Sequence, residues 1–363
     1  MAASTFSLFS RHQDVRTLVI EKMKDTFEAV ANHEATWIDF DLQETLGVIC
    51  EDLHISAGGT HRDELSPVFF EPLGTHNIPP PNLANAETQA NLKEITDDWD
   101  EPPPWPRTVT DQLYELVYSI EYVFRGSSRV YEKEFGWSNT LSHYAKWVEC
   151  GDITPDLVAK RFYRPVLGPR GSMPYLGYIA RSQLKMPHTL LATLTSTEAN
   201  EKLSRSETLT ILTVMLTRLE SGDFPKSTVI PVMVISIFTG FKVRILEAHF
   251  DYKGLVIRKS NFLSFENADA AIPNMDILMS FMASKMIGNT MDPNIMTKPG
   301  TEVRPPPDES RSQDSRRRRL GSWKMASLLR TASIPLRPHI PHFQHPANTS
   351  SEGTRASEHS LAR

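Results

Sequence analysis

The sequence predicts an α+β fold: a helical N-terminal portion, then a small mixed or antiparallel sheet flanked by helices, then a disordered C-terminal tail. Three observations predict it. Ser204-Arg-Ser-Glu207 is a capping box, and Leu209, Leu212, Met215, Leu216 and Leu219 follow it on one helical face. Next comes Val229-Ile-Pro-Val-Met-Val-Ile-Ser-Ile-Phe238, a β-branched run typical of a strand buried on both faces. Two apolar stretches, 242–250 and 255–265, then flank Asp251-Tyr-Lys-Gly254, where Gly254 can supply a positive φ; they read as an antiparallel hairpin.

From the N-terminus, Asp14 is placed to cap a helix carrying Val15, Leu18, Val19, Met23, Phe27 and Val30 at three- and four-residue steps. A second apolar group (Trp37, Ile38, Phe40, Leu42, Leu46, Val48, Ile49) continues it as a helical hairpin. The stretch 56–107 holds the triplets Pro79-Pro80-Pro81 and Pro102-Pro103-Pro104, with Pro67, Pro72 and Pro106. Prolines remove backbone donors and favour extended chain, so this stretch reads as a linker without continuous helix. Glu94, Asp97, Asp98, Asp100 and Glu101 make it acidic around Trp99, which reads as an anchor or as a docking motif for a basic groove. After it, Thr108 opens a helix with Leu113, Leu116, Val117, Ile120 and Phe124 on one side, and the three helical segments are expected around a common core. A last helix over 273–286 carries Met275, Leu278, Met279, Met282 and Met286, a methionine stripe that suits core filling or a peptide groove. The expected division is 1–55 helical, 56–107 linker, 108–296 α+β module and 297–363 tail.

The whole chain of 363 residues carries a formal net charge of −5, which hides a split. Residues 297–363 hold 12 of the 39 Lys+Arg and 6 of the 44 Asp+Glu, a net of +6; the remainder carries 27 against 38, a net of −11. An acidic body argues against nucleic-acid binding by the body. Two cysteines, Cys50 and Cys150, exclude a disulfide framework and a cysteine-based zinc site, and fit a reducing compartment. The first residues lack an early positive charge and a long apolar run, which reads against a secretory signal; Asp14 and Glu21 read against a mitochondrial presequence. The longest uncharged run, 227–241, contains Pro231 and Gly240 and is too short to span a bilayer. A cytoplasmic or nuclear protein without a membrane span is the expectation.

Ile230-Pro-Val-Met-Val-Ile-Ser-Ile-Phe-Thr-Gly240, Val243-Arg-Ile-Leu-Glu-Ala-His-Phe-Asp251 and Leu255-Val-Ile-Arg-Lys-Ser260, preceded by Leu190-Leu-Ala-Thr-Leu-Thr-Ser196, resemble a family of uncharacterised proteins of filamentous fungi over residues 187–266. The resemblance implies a fungal source and a shared fold, and carries no activity with it. The order helix, three strands, helix also resembles the restriction-endonuclease-like core. That resemblance would make Glu247, Asp251 and Lys253 a metal-binding set, since such enzymes use a strand acid and an acid-x-Lys pair to hold Mg²⁺ and activate water. Here Asp251-Tyr-Lys253 falls in the expected turn, which leaves the metal short of a second carboxylate, so this divergent or degenerate nuclease is the alternative reading.

Other candidate chemistry is thinner. Gly168-Pro-Arg-Gly171 lacks phosphate-loop spacing, and His339, His342 and His345 lie in proline-broken chain without fixed geometry. No cofactor is called for. The tail is the most informative segment. Arg316-Arg317-Arg318-Arg319 is a cationic cluster that suits the acidic groove of an importin, and Arg330-Thr-Ala-Ser333-Ile-Pro335 resembles the phosphoserine motif read by 14-3-3 proteins. The first expectation is therefore a non-enzymatic protein that acts through protein partners, with a phospho-regulated tail. An accessory role in a fungal biosynthetic pathway is a third reading.

Overall fold

The computed structural model describes residues 2–100, 108–131, 139–150, 153–166 and 172–298. The expectations at Arg316–Arg319, Arg330, Ser333 and Pro335, like the whole of Gly168–Gly171 and the tail histidines, lie outside the described residues.

The fold is α+β, built on one mixed sheet. Its strands are β1 (Val48–Asp52), β2 (Trp147–Glu149), β3 (Ser172–Ala180), β4 (Thr189–Thr195), β5 (Val232–Phe238), β6 (Lys242–Asp251), β7 (Gly254–Lys259) and β8 (Leu263–Ser264). They lie in the order β1-β7-β6-β5-β4-β3-β2, with β8 added beside the start of β6. Pairs β1–β7 and β4–β5 are parallel; the others are antiparallel. The helices that cover the sheet are α1 (Ala2–Asn32), α2 (Phe40–Leu46), α3 (Ala86–Asp100), α4 (Val109–Glu121), α5 (Arg205–Glu220) and α6 (Ala268–Met282).

The β-branched run behaves as its composition requires. Every residue of β5 is buried. Val232 and Val234 enter one core with Leu209, Leu212 and Leu216 of α5 and Val19 and Met23 of α1. Met233, Ile235 and Ile237 enter another with Leu116 and Val117 of α4, Ile95 of α3 and Leu278 of α6. Period-two alternation on a sheet covered on both sides makes two cores, one per face. The expected common core of three helical segments is thus corrected: α1 and α4 stand on opposite faces.

Two further expectations change. The group from Trp37 to Ile49 is not the second arm of a helical hairpin. Trp37–Ile38 pairs with Leu203–Ser204, α2 is a short helix capped by Asp39, and Gly47 at φ 67° ends it, turning the chain into β1 beside β7. Segment 1–55 therefore supplies a strand to the sheet of the α+β module. The expected linker also folds over much of its length. Its proline triplets bracket a helix and do not enter it: α3 begins after Asn85, whose side-chain oxygen accepts from Thr88 N at 2.8 Å. Ahead of α3, Phe69 and Phe70 are buried, and Phe70–Glu71 pairs with Lys285–Met286.

The local signals hold at α4, α5 and the hairpin, but Asp14 does not cap a helix: α1 already runs from Ala2, which puts Asp14 inside it. Thr108 and Asp111 form a capping box at α4, as do Ser204 and Glu207 at α5. β6 and β7 form the hairpin, turning at Tyr252-Lys253. The last helix starts five residues before Pro273, capped by Asn267, and its Met275, Met279 and Met282 are buried core. Arg16 closes the far end of α5: its guanidinium donates to Phe224 O (2.6 Å), Ser227 O (2.7 Å) and Leu219 O. No helix among the described residues is long and apolar enough to cross a membrane.

Candidate functional site

Glu247, His249 and Asp251 alternate along β6 and so share one face of the sheet, where Glu247 meets His61 and His249 meets Phe69. Four residues of strand separate Glu247 from Asp251 by about 13 Å, too far for one ion to bridge. Each has its own partner. Glu247 is buried, with Oε1 2.9 Å from His61 Nε2, and the His61 ring stands edge-on to Phe281. Asp251 Oδ1 accepts from Lys253 N at 2.7 Å, bracing the hairpin turn, and its other oxygen lies 3.7 Å from His249 Nε2. Lys253 Nζ reaches Glu51 Oε1 at 3.8 Å, on β1. The acid-x-Lys spacing is present, but it sits at a turn, where the lysine leaves toward the neighbouring strand. The expected metal set of Glu247, Asp251 and Lys253 is therefore not assembled. Among the described residues, no group of three or more His, Cys, Asp or Glu could hold a metal ion.

These side chains fasten the chain 51–71 to the sheet. Arg258, opposite Glu247 on β7, donates to Pro67 O (2.7 Å), Ser66 O (3.1 Å) and Glu51 Oε2 (3.2 Å). His188, at the mouth of β4, is fully buried, with Nε2 3.0 Å from both Phe69 O and Ile287 O. Two carbonyl acceptors require that Nε2 carry the proton. Burial pushes the His188 imidazole down to about 4, so the ring is neutral.

A second polar centre went unread in the sequence. The capping-box carboxylate of Glu207 also holds Arg244 of β6: Arg244 Nε donates to Oε1 at 2.8 Å, a second guanidinium nitrogen reaches Oε2, and both side chains are inaccessible to solvent. The remaining Arg244 donors reach Asn200 O (2.9 Å) and Lys202 O (3.2 Å), and the guanidinium lies over the rings of Phe238 and Phe262. Burial by itself would raise the Glu207 carboxyl; Arg244 and the hydrogen bonds of Ser204 outweigh it and hold the group below its ordinary value. A buried pair so completely bonded orients α5 against the sheet, and removing one member would strand a charge. The available signal was the single arginine within the apolar β6 run.

Both thiols are poor nucleophiles. Burial raises that of Cys50, and pushes Cys150 up to about 11.

No family model, curated protein or solved structure matches the chain.

Proposed function

We propose that this is a non-enzymatic protein of a filamentous fungus that works through protein partners and is regulated at its basic tail. The observation that carries the reading is Arg330-Thr-Ala-Ser333-Ile-Pro335, downstream of Arg316–Arg319, in a tail of net +6 on a chain whose remainder is net −11. Arg330, three residues before Ser333, suits a basophilic kinase, and Pro335 two residues after it suits a 14-3-3 groove. Phosphate would add about −1.5 to −2 charges for an arginine cluster to grip. The arginine run supplies a separate address for an importin, which places the protein in the cytoplasm, the nucleus or both.

The body supports this reading through what its ionisable groups do. Glu247, Asp251, Lys253, Arg258 and His188 each hold one piece of chain to another. Side chains so engaged position a scaffold.

The test is capture of the full chain on immobilised 14-3-3 after treatment with a basophilic kinase. Capture is expected for the wild-type chain, to be lost in Ser333→Ala, and to survive replacement of Arg316–Arg319 by alanine. The same quadruple variant is expected to lose importin binding. Equal capture of wild type and Ser333→Ala would sink the regulatory reading.

A further inference from the structure

A groove of about 700 Å³ opens between three pieces of chain: Glu71–Leu73 with Lys285–Met286, the turn around Ala145, and the loop around Leu184. Leu73, Leu184, Met186 and Met286 give it an apolar lining. This volume is in the range that takes one ligand of drug size, and thioether side chains adapt to flexible apolar chains.

The rim carries the opposite charge to the rest of the body. Lys146 and Lys285 line it, and Lys185 sits between the lining residues Leu184 and Met186. Glu71 is the lone acid of the lining. It lies 3.5 Å from Lys285 with both side chains largely exposed, and against two lining lysines it leaves the rim at a net charge of +1 (2 − 1). On a body of net −11, two lysines against one glutamate around an apolar groove mark an anionic ligand.

The backbone supplies an independent observation. Among the described residues three without the freedom of glycine have positive φ, and two of them are Lys146 (64°) and Lys185 (51°). L-residues avoid this region, and such strain gathers at ligand sites. Three donors of the lining are engaged within the fold: Ser284 Oγ donates to Phe281 O, Leu73 N to Ser280 O and Lys146 N to His143 O. A peptide would bring backbone donors and acceptors that this lining does not match, whereas an acyl chain brings none.

We propose that this groove binds a single-chain anionic amphiphile of the fatty-acid class. The chain lies on the leucine and methionine floor, and the carboxylate meets Lys146 and Lys285.

The experiment is calorimetric titration of the full-length protein with monomeric dodecanoate. Butanoate lacks the tail, and dodecyltrimethylammonium reverses the head charge. Dodecanoate is expected to saturate at one per chain and to bind about tenfold or more tighter than the cation, with no binding of butanoate. Lys146→Asn with Lys285→Gln should remove the preference for the anion; asparagine tolerates the positive φ. Met186→Trp, which narrows the floor, should weaken both amphiphiles alike, and it tests the site even if the lysine pair fails to fold. Far-UV circular dichroism and melting temperature establish that each variant is folded. Equal affinity for both head charges, binding unchanged in the folded variants, or stronger displacement by a Glu-Leu decapeptide than by further dodecanoate would each overturn the proposal.

Discussion

Among single residues, His188 states most directly how this molecule uses a polar side chain. It is an imidazole enclosed by Phe69 and Phe70, donating one proton to two carbonyls from chain far away in sequence, with Nδ1 unpartnered among the described residues. Its folded value near 4 lies below the ordinary 6.5, so the unfolded chain binds the proton more readily. The stability it contributes is complete above pH 6.5 and is lost as pH falls from 6.5 toward 4. Urea unfolding should show the wild type losing about 2 kcal/mol more than His188→Gln between pH 7 and pH 5. Parallel pH profiles would refute this account. The histidine was visible in the sequence, but nothing nearby announced that Phe69 and Ile287 would close around it. Glu207 makes the same point: its capping role was legible from Ser204, three residues away, whereas its pairing with Arg244 spans 37.

For the elements, the hairpin of β6 and β7 shows how far a local signal reaches. Gly254 tolerates the positive φ that the turn requires, and it has φ 116°. It has a second reason to be glycine, which the hairpin alone does not contain. A Cβ there would lie 2.4 Å from Gly47 O, the carbonyl that accepts from Leu255 N where β1 joins β7. Gly254→Ala should therefore force β1 away from β7 and cost about 2 kcal/mol or more. Gly240→Ala, at φ 71° with open space around it, should cost only the backbone penalty of about 1 kcal/mol. Chemical denaturation of the two variants compares them directly, and equal losses would mean that the Gly47 contact is not the reason. Helix α3 carries the converse lesson. Proline density around it made the whole stretch look unfolded, yet a proline breaks only the turn it occupies, and 86–100 contains none.

For the whole molecule, the arrangement around the sheet decides what can be separated from what. α1 lays Val19, Met23 and Val30 into the same core as α5, and β1 forms the sheet edge beside β7. Residues 1–52 are thus structural parts of the α+β unit. A chain of residues 53–363 should lack a cooperative thermal transition, because it exposes the apolar face of α5 and leaves the outer edge of β7 unpaired. A sharp melt with full helical signal from that chain would show that 1–52 is dispensable. What the sequence by itself determined were the capping box at Ser204, the start of a helix at Thr108, the strand buried on both faces, the hairpin and the division of charge between body and tail. Those features depend on residues within a turn or a strand of each other, or on composition alone. Only the tertiary structure decided that 48–52 is a strand, that the helices split between two cores, that Glu247 belongs to His61, and that Lys146 and Lys285 meet at one groove. His61 and Glu247 are 186 residues apart, and Arg16 and Ser227 are 211 apart. Pairings at that separation are selected by how all the apolar faces bury together, which no local window of sequence contains.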